Sequence, residues 1–297
     1  MKGLSNIFIF LSFSFAVNVF AQEKEDTVKL IKPVTVPAGF TKQLDIVYTG
    51  GVSWQEKLDL YLPPNNGKPT PVIINIHGGG WNHGTKESQG GFSPFFKMGF
   101  AVANVEYRLT PEAKAPAAIE DIRCALIYLI QNAKALNIDP DKIVIMGGSA
   151  GGHLALLAGL MGNDHLFDSN CKTVEKIKVA AIIDKWGIAD MDTFTNITKY
   201  KSAINWLDKY AADQNFIKSV SPVTYITKNS PPVFIVHGDA DPTVPYTQSV
   251  SLYKKLQETG VPSKFMTVPN GGHGTFPDQQ KKEVTEAIVA FIQSLNL

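Results

Sequence analysis

Six apolar runs, at residues 72–76, 101–105, 143–146, 179–183, 233–236 and 264–268, recur along the chain with few polar interruptions. Strands covered by helices on both faces carry such runs, whereas half-exposed strands alternate apolar with polar residues. Alternation is confined to Leu44-Asp45-Ile46-Val47-Tyr48 and Lys57-Leu58-Asp59-Leu60-Tyr61-Leu62, with the turn signal Gly50-Gly51 between them. The chain is thus expected to open with an antiparallel hairpin whose first strand is an edge. Helical periodicity lies between the later runs, at 115–135, 150–161, 246–259 and 277–295. This alternation predicts an α/β fold with an eight-stranded sheet flanked by helices, the first two strands antiparallel and the rest parallel. Between the sixth and seventh strands, residues 187–231 form a longer stretch rich in Asn, Lys and Tyr, with a helix-like patch at 202–212. We read it as a small cap insertion; a plain crossover helix with surface decoration is the alternative.

The first residues follow a different rule. Lys2 precedes an apolar stretch that ends in Val19-Phe20-Ala21, the pattern of a signal peptide spanning 1–21 and cleaved after Ala21. An uncleaved anchor is the competing reading, but the apolar core is short and lacks a basic stop-transfer flank. The expected location is therefore secreted or periplasmic, with residues 22–297 as the folded domain. A net charge of +1, with no basic stretch interleaved with aromatics, points away from nucleic acid and anionic membranes as partners. Small neutral substrates fit better, and nothing in the pattern specifies an oligomeric state. Export allows one disulfide between the two cysteines, Cys124 and Cys171, although sequence does not fix their proximity. Neither a CxxC nor an HxxxH spacing occurs, so neither a metal nor a cofactor is expected.

Gly147-Gly148-Ser149-Ala150-Gly151 stands between an apolar run and a helical pattern, which places a serine at a sharp strand-to-helix turn. Glycines on either side permit the close backbone approach that such a turn imposes. A serine hydroxyl is a weak nucleophile and needs a base, held in turn by a third group. His273 lies in Asn270-Gly271-Gly272-His273-Gly274, a polar loop directly after the last strand, and is the preferred base. His153 is carried into a helix body and His237 closes the seventh strand, so both are weaker candidates. Two carboxylates follow that strand: Asp239 adjoins a tight His-Gly turn and is expected to cap its own backbone, which leaves Asp241 to orient His273. His77-Gly78-Gly79-Gly80-Trp81 follows the third strand. There the backbone N–H groups of Gly79 and Gly80, with that of Ala150, form a candidate oxyanion hole. No Gly-Lys-Ser or Gly-Lys-Thr follows, which argues against a phosphate cradle.

These motifs, together with Tyr107-Arg108-Leu109 and Gly238-Asp239-Ala240-Asp241-Pro242-Thr243-Val244-Pro245, resemble the α/β-hydrolase carboxylesterases. The resemblance is to the hormone-sensitive-lipase-like esterases and, within them, to the bacterial feruloyl and acetyl esterase branch; it spans about residues 40–297. It implies hydrolysis of short acyl or aromatic esters, with Ser149 as nucleophile, His273 as base and Asp241 as orienting acid, in the chain order of that fold. Trp81 and Trp186 are the candidate substrate-binding aromatics. Lys185-Trp186 departs from the aspartate-aromatic pair that the resemblance implies at this place. A serine exopeptidase of the prolyl-oligopeptidase type shares the fold and triad order and is the rival activity. A catalytically silent binding protein is the rival from another class.

Overall fold

The structure, a computed structural model, describes residues 33–49, 56–110, 112–171, 174–198 and 200–297. The segment read as a signal peptide and the Gly50-Gly51 turn lie outside the described residues. Eight strands, β1 Thr41–Val47, β2 Lys57–Leu62, β3 Thr70–Ile76, β4 Ala101–Val105, β5 Ile138–Gly148, β6 Ala181–Lys185, β7 Val233–Gly238 and β8 Ser263–Val268, form one sheet. Their order across it is β1-β2-β4-β3-β5-β6-β7-β8. β2 runs antiparallel to both neighbours, β1 and β4, and every pairing from β4 to β8 is parallel. The edge strand β1 is largely exposed, while all of β4 is buried, as the contrast between alternating and continuous apolar patterns requires.

Successive strand residues point to opposite faces, so each central strand feeds two cores. In β3, Val72, Ile74 and Ile76 pack on one side; Ile73 packs on the other with Phe95, Phe96, Phe291 and Ile292. Helices α1 Ser93–Lys97, α2 Ala117–Gln131, α3 Ala133–Leu136, α4 Ala150–Leu160, α5 Met191–Thr198, α6 Lys201–Leu207, α7 Gln214–Ser219, α8 Thr247–Thr259 and α9 Asp278–Ser294 complete the layers. α2, α4 and α8 cover the first face, and α1 and α9 cover the second. Every residue of α4 is buried, which explains why its sequence is apolar all round.

Two element boundaries and one short helix depart most from the sequence pattern. The periodic stretch 115–135 divides into α2 and α3 at Asn132, whose side chain and backbone N–H both bond the Tyr128 carbonyl. β5 begins at Ile138 rather than 143, because Thr70 of β3 pairs with Ile138. α1, with five residues, is too short for its period to be read. The insertion between β6 and β7 consists of α5 to α7 with short 3-10 turns, and it buries Ala203, Trp206, Leu207, Ile217 and Val220. It packs into the main core instead of resting on it.

Cys124 of α2 and Cys171 are joined by a disulfide with Cα atoms 5.2 Å apart. Beside it, Arg123 makes a two-pronged buried pair with Asp168, at 2.7 Å on each prong. The bridge closes a loop with a sequence separation of 47 residues. Restriction of the unfolded chain by a loop of that size is expected to contribute about 2–4 kcal/mol. The double variant Cys124→Ala/Cys171→Ala should therefore lose about 2–4 kcal/mol of unfolding free energy and unfold at lower urea concentration, and an unchanged midpoint would contradict a stabilising role.

Candidate active site

The register of the parallel strands brings the C-terminal ends of β3, β5, β6 and β7 to one edge of the sheet, where ligands of such folds bind. Ser149 follows β5 there, at φ 58° and ψ −124°, a backbone region that side-chain-bearing residues rarely occupy. The turn closes because Gly147 has no Cβ: one built there would lie 2.2 Å from the Gly151 carbonyl oxygen. The Ser149 backbone N–H donates to the Lys185 carbonyl at 2.9 Å, which ties the elbow to β6.

The Ser149 hydroxyl lies 2.9 Å from His273 Nε2, and His273 Nδ1 lies 2.7 Å from Asp241 Oδ2. All three predicted catalytic side chains thus form one hydrogen-bonded chain. Asp241 Oδ1 accepts the backbone N–H groups of Thr243 and Val244, at 2.7 and 2.9 Å. Oδ2 is shared with His237, whose Nε2 stands 3.1 Å away and whose Nδ1 is 2.7 Å from Ser249 Oγ. Burial pushes the Asp241 carboxyl up, but the hydrogen bonds from His237, His273, Thr243 and Val244 outweigh it and hold the group well below the usual carboxylate range. Asp241 is consequently an anion whenever His273 needs an acceptor.

Asp239 does not cap its own turn as expected. Its Oδ1 accepts the Asn270 N–H at 2.6 Å, which fastens the loop carrying His273 to the end of β7. His153 is fully buried, with Nε2 on the Val220 carbonyl at 2.8 Å, and burial lowers it to about 4. It is therefore neutral and part of the core, not a base.

Gly79 and Gly80 line the same cavity as Ser149, and Ala150 begins α4, where the backbone N–H has no intrahelical acceptor. All three predicted oxyanion donors are therefore at the nucleophile. Gly79 has φ +117°, and a Cβ on it would meet the His83 carbonyl oxygen at 1.9 Å, so the sharp loop admits glycine alone. The loop is braced from below: His77 Nε2 is 3.0 Å from Glu106 Oε1, and the Tyr107 ring stacks on His77 at 4.2 Å.

The two tryptophans part company. Trp186, at the end of β6, lines the cavity and presents its ring to Phe276 and His273 at centroid distances of 5.3 and 6.3 Å. Trp81, expected to touch substrate, is 1% exposed and does not line the cavity. Its ring stacks on Trp206 of α6 at 4.8 Å and meets His153 edge-on, so it anchors the glycine loop to the insertion. Sequence reasoning assigns no role to Glu106 or Trp206. A signal for Glu106 exists, since it directly follows a central strand; Trp206 has none, because its partner is distant in the chain.

The cavity has a volume of about 470 Å³ and is also bounded by His83, Gln89, Lys185, Tyr200 and Thr243. That volume suits a small organic group rather than a buried polymer. Strand order, serine elbow and the Ser-Asp-His sequence of the triad define an α/β-hydrolase. Within that class the chain belongs to the BD-FAE family, whose profile matches residues 58–256. It is 29% identical over 261 residues to the esterase LipQ of Mycobacterium tuberculosis, covering 84% of this chain and 61% of LipQ. The chain thus spans less than two thirds of that relative's length. The solved structure of a truncated carbohydrate esterase from gut microbiota is similar at TM-score 0.76 and 30% identity, over 86% of this chain and 96% of that one. An acetyl ester-xyloside bifunctional hydrolase from Caldicellulosiruptor lactoaceticus follows at TM-score 0.70 and 27% identity, over 81% and 88%.

A fluorophosphonate probe should modify Ser149, as read by mass spectrometry of the labelled peptide. Asp241→Asn should slow labelling by at least about 100-fold, since His273 loses its anionic partner. Asp239→Asn, which affects only loop anchoring, should slow it by less than about tenfold. Equal effects of the two variants would refute the assignment of Asp241.

Proposed function

We propose that the protein is an exported serine carboxylesterase that cleaves short acyl or aromatic esters, including carbohydrate-linked acetyl and feruloyl esters, through an acyl-enzyme. The observation that carries the reading is the continuous chain from Ser149 Oγ through His273 to Asp241, opening on a cavity lined by Gly79 and Gly80. Ser149 Oγ attacks the ester carbonyl carbon while its proton passes to His273 Nε2. Negative charge then gathers on the carbonyl oxygen, where the N–H groups of Gly79, Gly80 and Ala150 meet it. His273 returns the proton to the departing alcohol, and the acyl group stays on Ser149. Water, deprotonated by the same imidazole, repeats the addition and releases the acid. Throughout, Asp241 keeps His273 in the required tautomer and offsets the imidazolium charge.

Carbohydrate-linked substrates are supported by the carbohydrate esterase and acetyl ester-xyloside hydrolase among the similar structures. Export is supported by the apolar pattern of residues 1–21 and by the Cys124–Cys171 disulfide, which suits an oxidising compartment. Trp186 offers an aromatic wall to the acyl or alcohol group.

Ser149→Ala should lower kcat on p-nitrophenyl acetate by roughly 10⁴- to 10⁶-fold. Near-normal turnover by that variant would refute the reading. Turnover of aminoacyl p-nitroanilides faster than of simple esters would favour an exopeptidase instead.

A further inference from the structure

Lys185 is the last residue of β6, and it borders two cavities at once. One is the catalytic cavity with Ser149 and His273. The second, of about 220 Å³, adjoins it across Gln89, Lys185 and Trp186 and has apolar walls that include Phe95, Met146, Phe276 and Ile288. Alternation along β6 sends Asp184 to the opposite face, where its Oδ1 accepts the Gly187 N–H at 3.0 Å, so it does not pair with Lys185. Among the described residues Lys185 has neither an ion pair nor a hydrogen bond; its ammonium stands 6.0 Å from the centre of the Trp186 ring. No aspartate or glutamate is found among the described residues lining either cavity.

Lys185 is half-buried, so its ammonium keeps part of its hydration while no carboxylate faces it across either cavity. Unpaired charge at the junction of two cavities is accounted for if a ligand supplies the partner. We propose that Lys185 determines specificity: its ammonium receives a carboxylate carried by the substrate, so that the enzyme prefers esters with an anion near the scissile bond. This inference rests on the esterase reading of the site. The carboxylate has two possible sources, the acyl group of a dicarboxylic half-ester or a uronic acid as the alcohol, and both present the same group to Lys185.

Burial lowers Lys185 to about 8, so it is charged below that pH and neutral above it. The other titratable groups on the two cavities are His83 from the loop after β3, Tyr200 from the segment before α6, His273 from the loop after β8, and Lys281 from α9. Lys281 is already paired with Asp278 at 2.9 Å. Any preference for an anion should therefore weaken as pH rises through the Lys185 range, while the neutral form of the ester keeps its own profile.

The test compares kcat/KM for each charged ester with that for its neutral methyl ester. One arm uses p-nitrophenyl hydrogen adipate against p-nitrophenyl methyl adipate; the other follows acetate release from an acetylated methyl galacturonoside and from its uronate methyl ester. Wild-type protein is expected to favour the anion by about tenfold in at least one arm, and that arm identifies the source. Lys185→Met should abolish the ratio, and in wild type the ratio should fall between about pH 6.5 and about pH 9.5. The ratio is unaffected by a general loss of activity in the variant. A wild-type ratio near one in both arms, or a ratio unchanged in Lys185→Met, overturns the proposal while leaving the esterase reading intact. Failure to hydrolyse the neutral esters overturns both.

Discussion

Ser149 occupies a backbone conformation that costs a side-chain-bearing residue about 1–3 kcal/mol, and much of the molecule is arranged to hold it there. β5 must end in glycines so that α4 can begin against the strand, and α4 must be buried on all sides so that its first turn cannot drift. The Ser149 N–H is fixed to β6 through the Lys185 carbonyl. Strain at one residue is thus balanced by packing spread over a whole helix. That balance makes the hydroxyl accessible to His273 without any rearrangement of the backbone.

The acid side of the site depends on one carboxylate serving two imidazoles. Asp241 Oδ2 lies close to both His237 and His273, while two backbone N–H groups occupy Oδ1. His237 is fully buried and fastened to Ser249 of α8, so it holds the carboxylate from behind. His273, partly exposed, is the member free to exchange protons with the cavity. Burial separates the two roles although the residue type is the same.

Much of this was legible in the sequence because it is local. The elbow, the glycine loop after β3 and the two loops carrying Asp241 and His273 each lie directly after a strand, and parallel topology then gathers strand ends at one edge. Continuous apolar runs located the central strands to within a few residues for the same reason. What escaped is what depends on distant pairing. Trp81 reads as a pocket aromatic until Trp206 is seen stacked on it. Asp239 reads as a local cap until Asn270 is found at its oxygen. The extension of β5 back to Ile138 depends on β3, and the order in which the strands lie side by side has no local signature at all.

The tryptophan stack has a further consequence for how such a site changes over evolutionary time. Trp81 belongs to the glycine loop that lines the cavity beside Ser149, and Trp206 belongs to the insertion that contributes Tyr200 to the cavity wall. A single buried contact therefore joins the loop beside Ser149 to a second segment that borders the same cavity. The two segments are inherited as one unit: exchanging the insertion for one without a matching aromatic would leave Trp81 facing a void and loosen the loop it anchors. Diversification of substrate range is consequently channelled toward side chains such as those of Tyr200 and Lys185, which border the cavity without taking part in that stack.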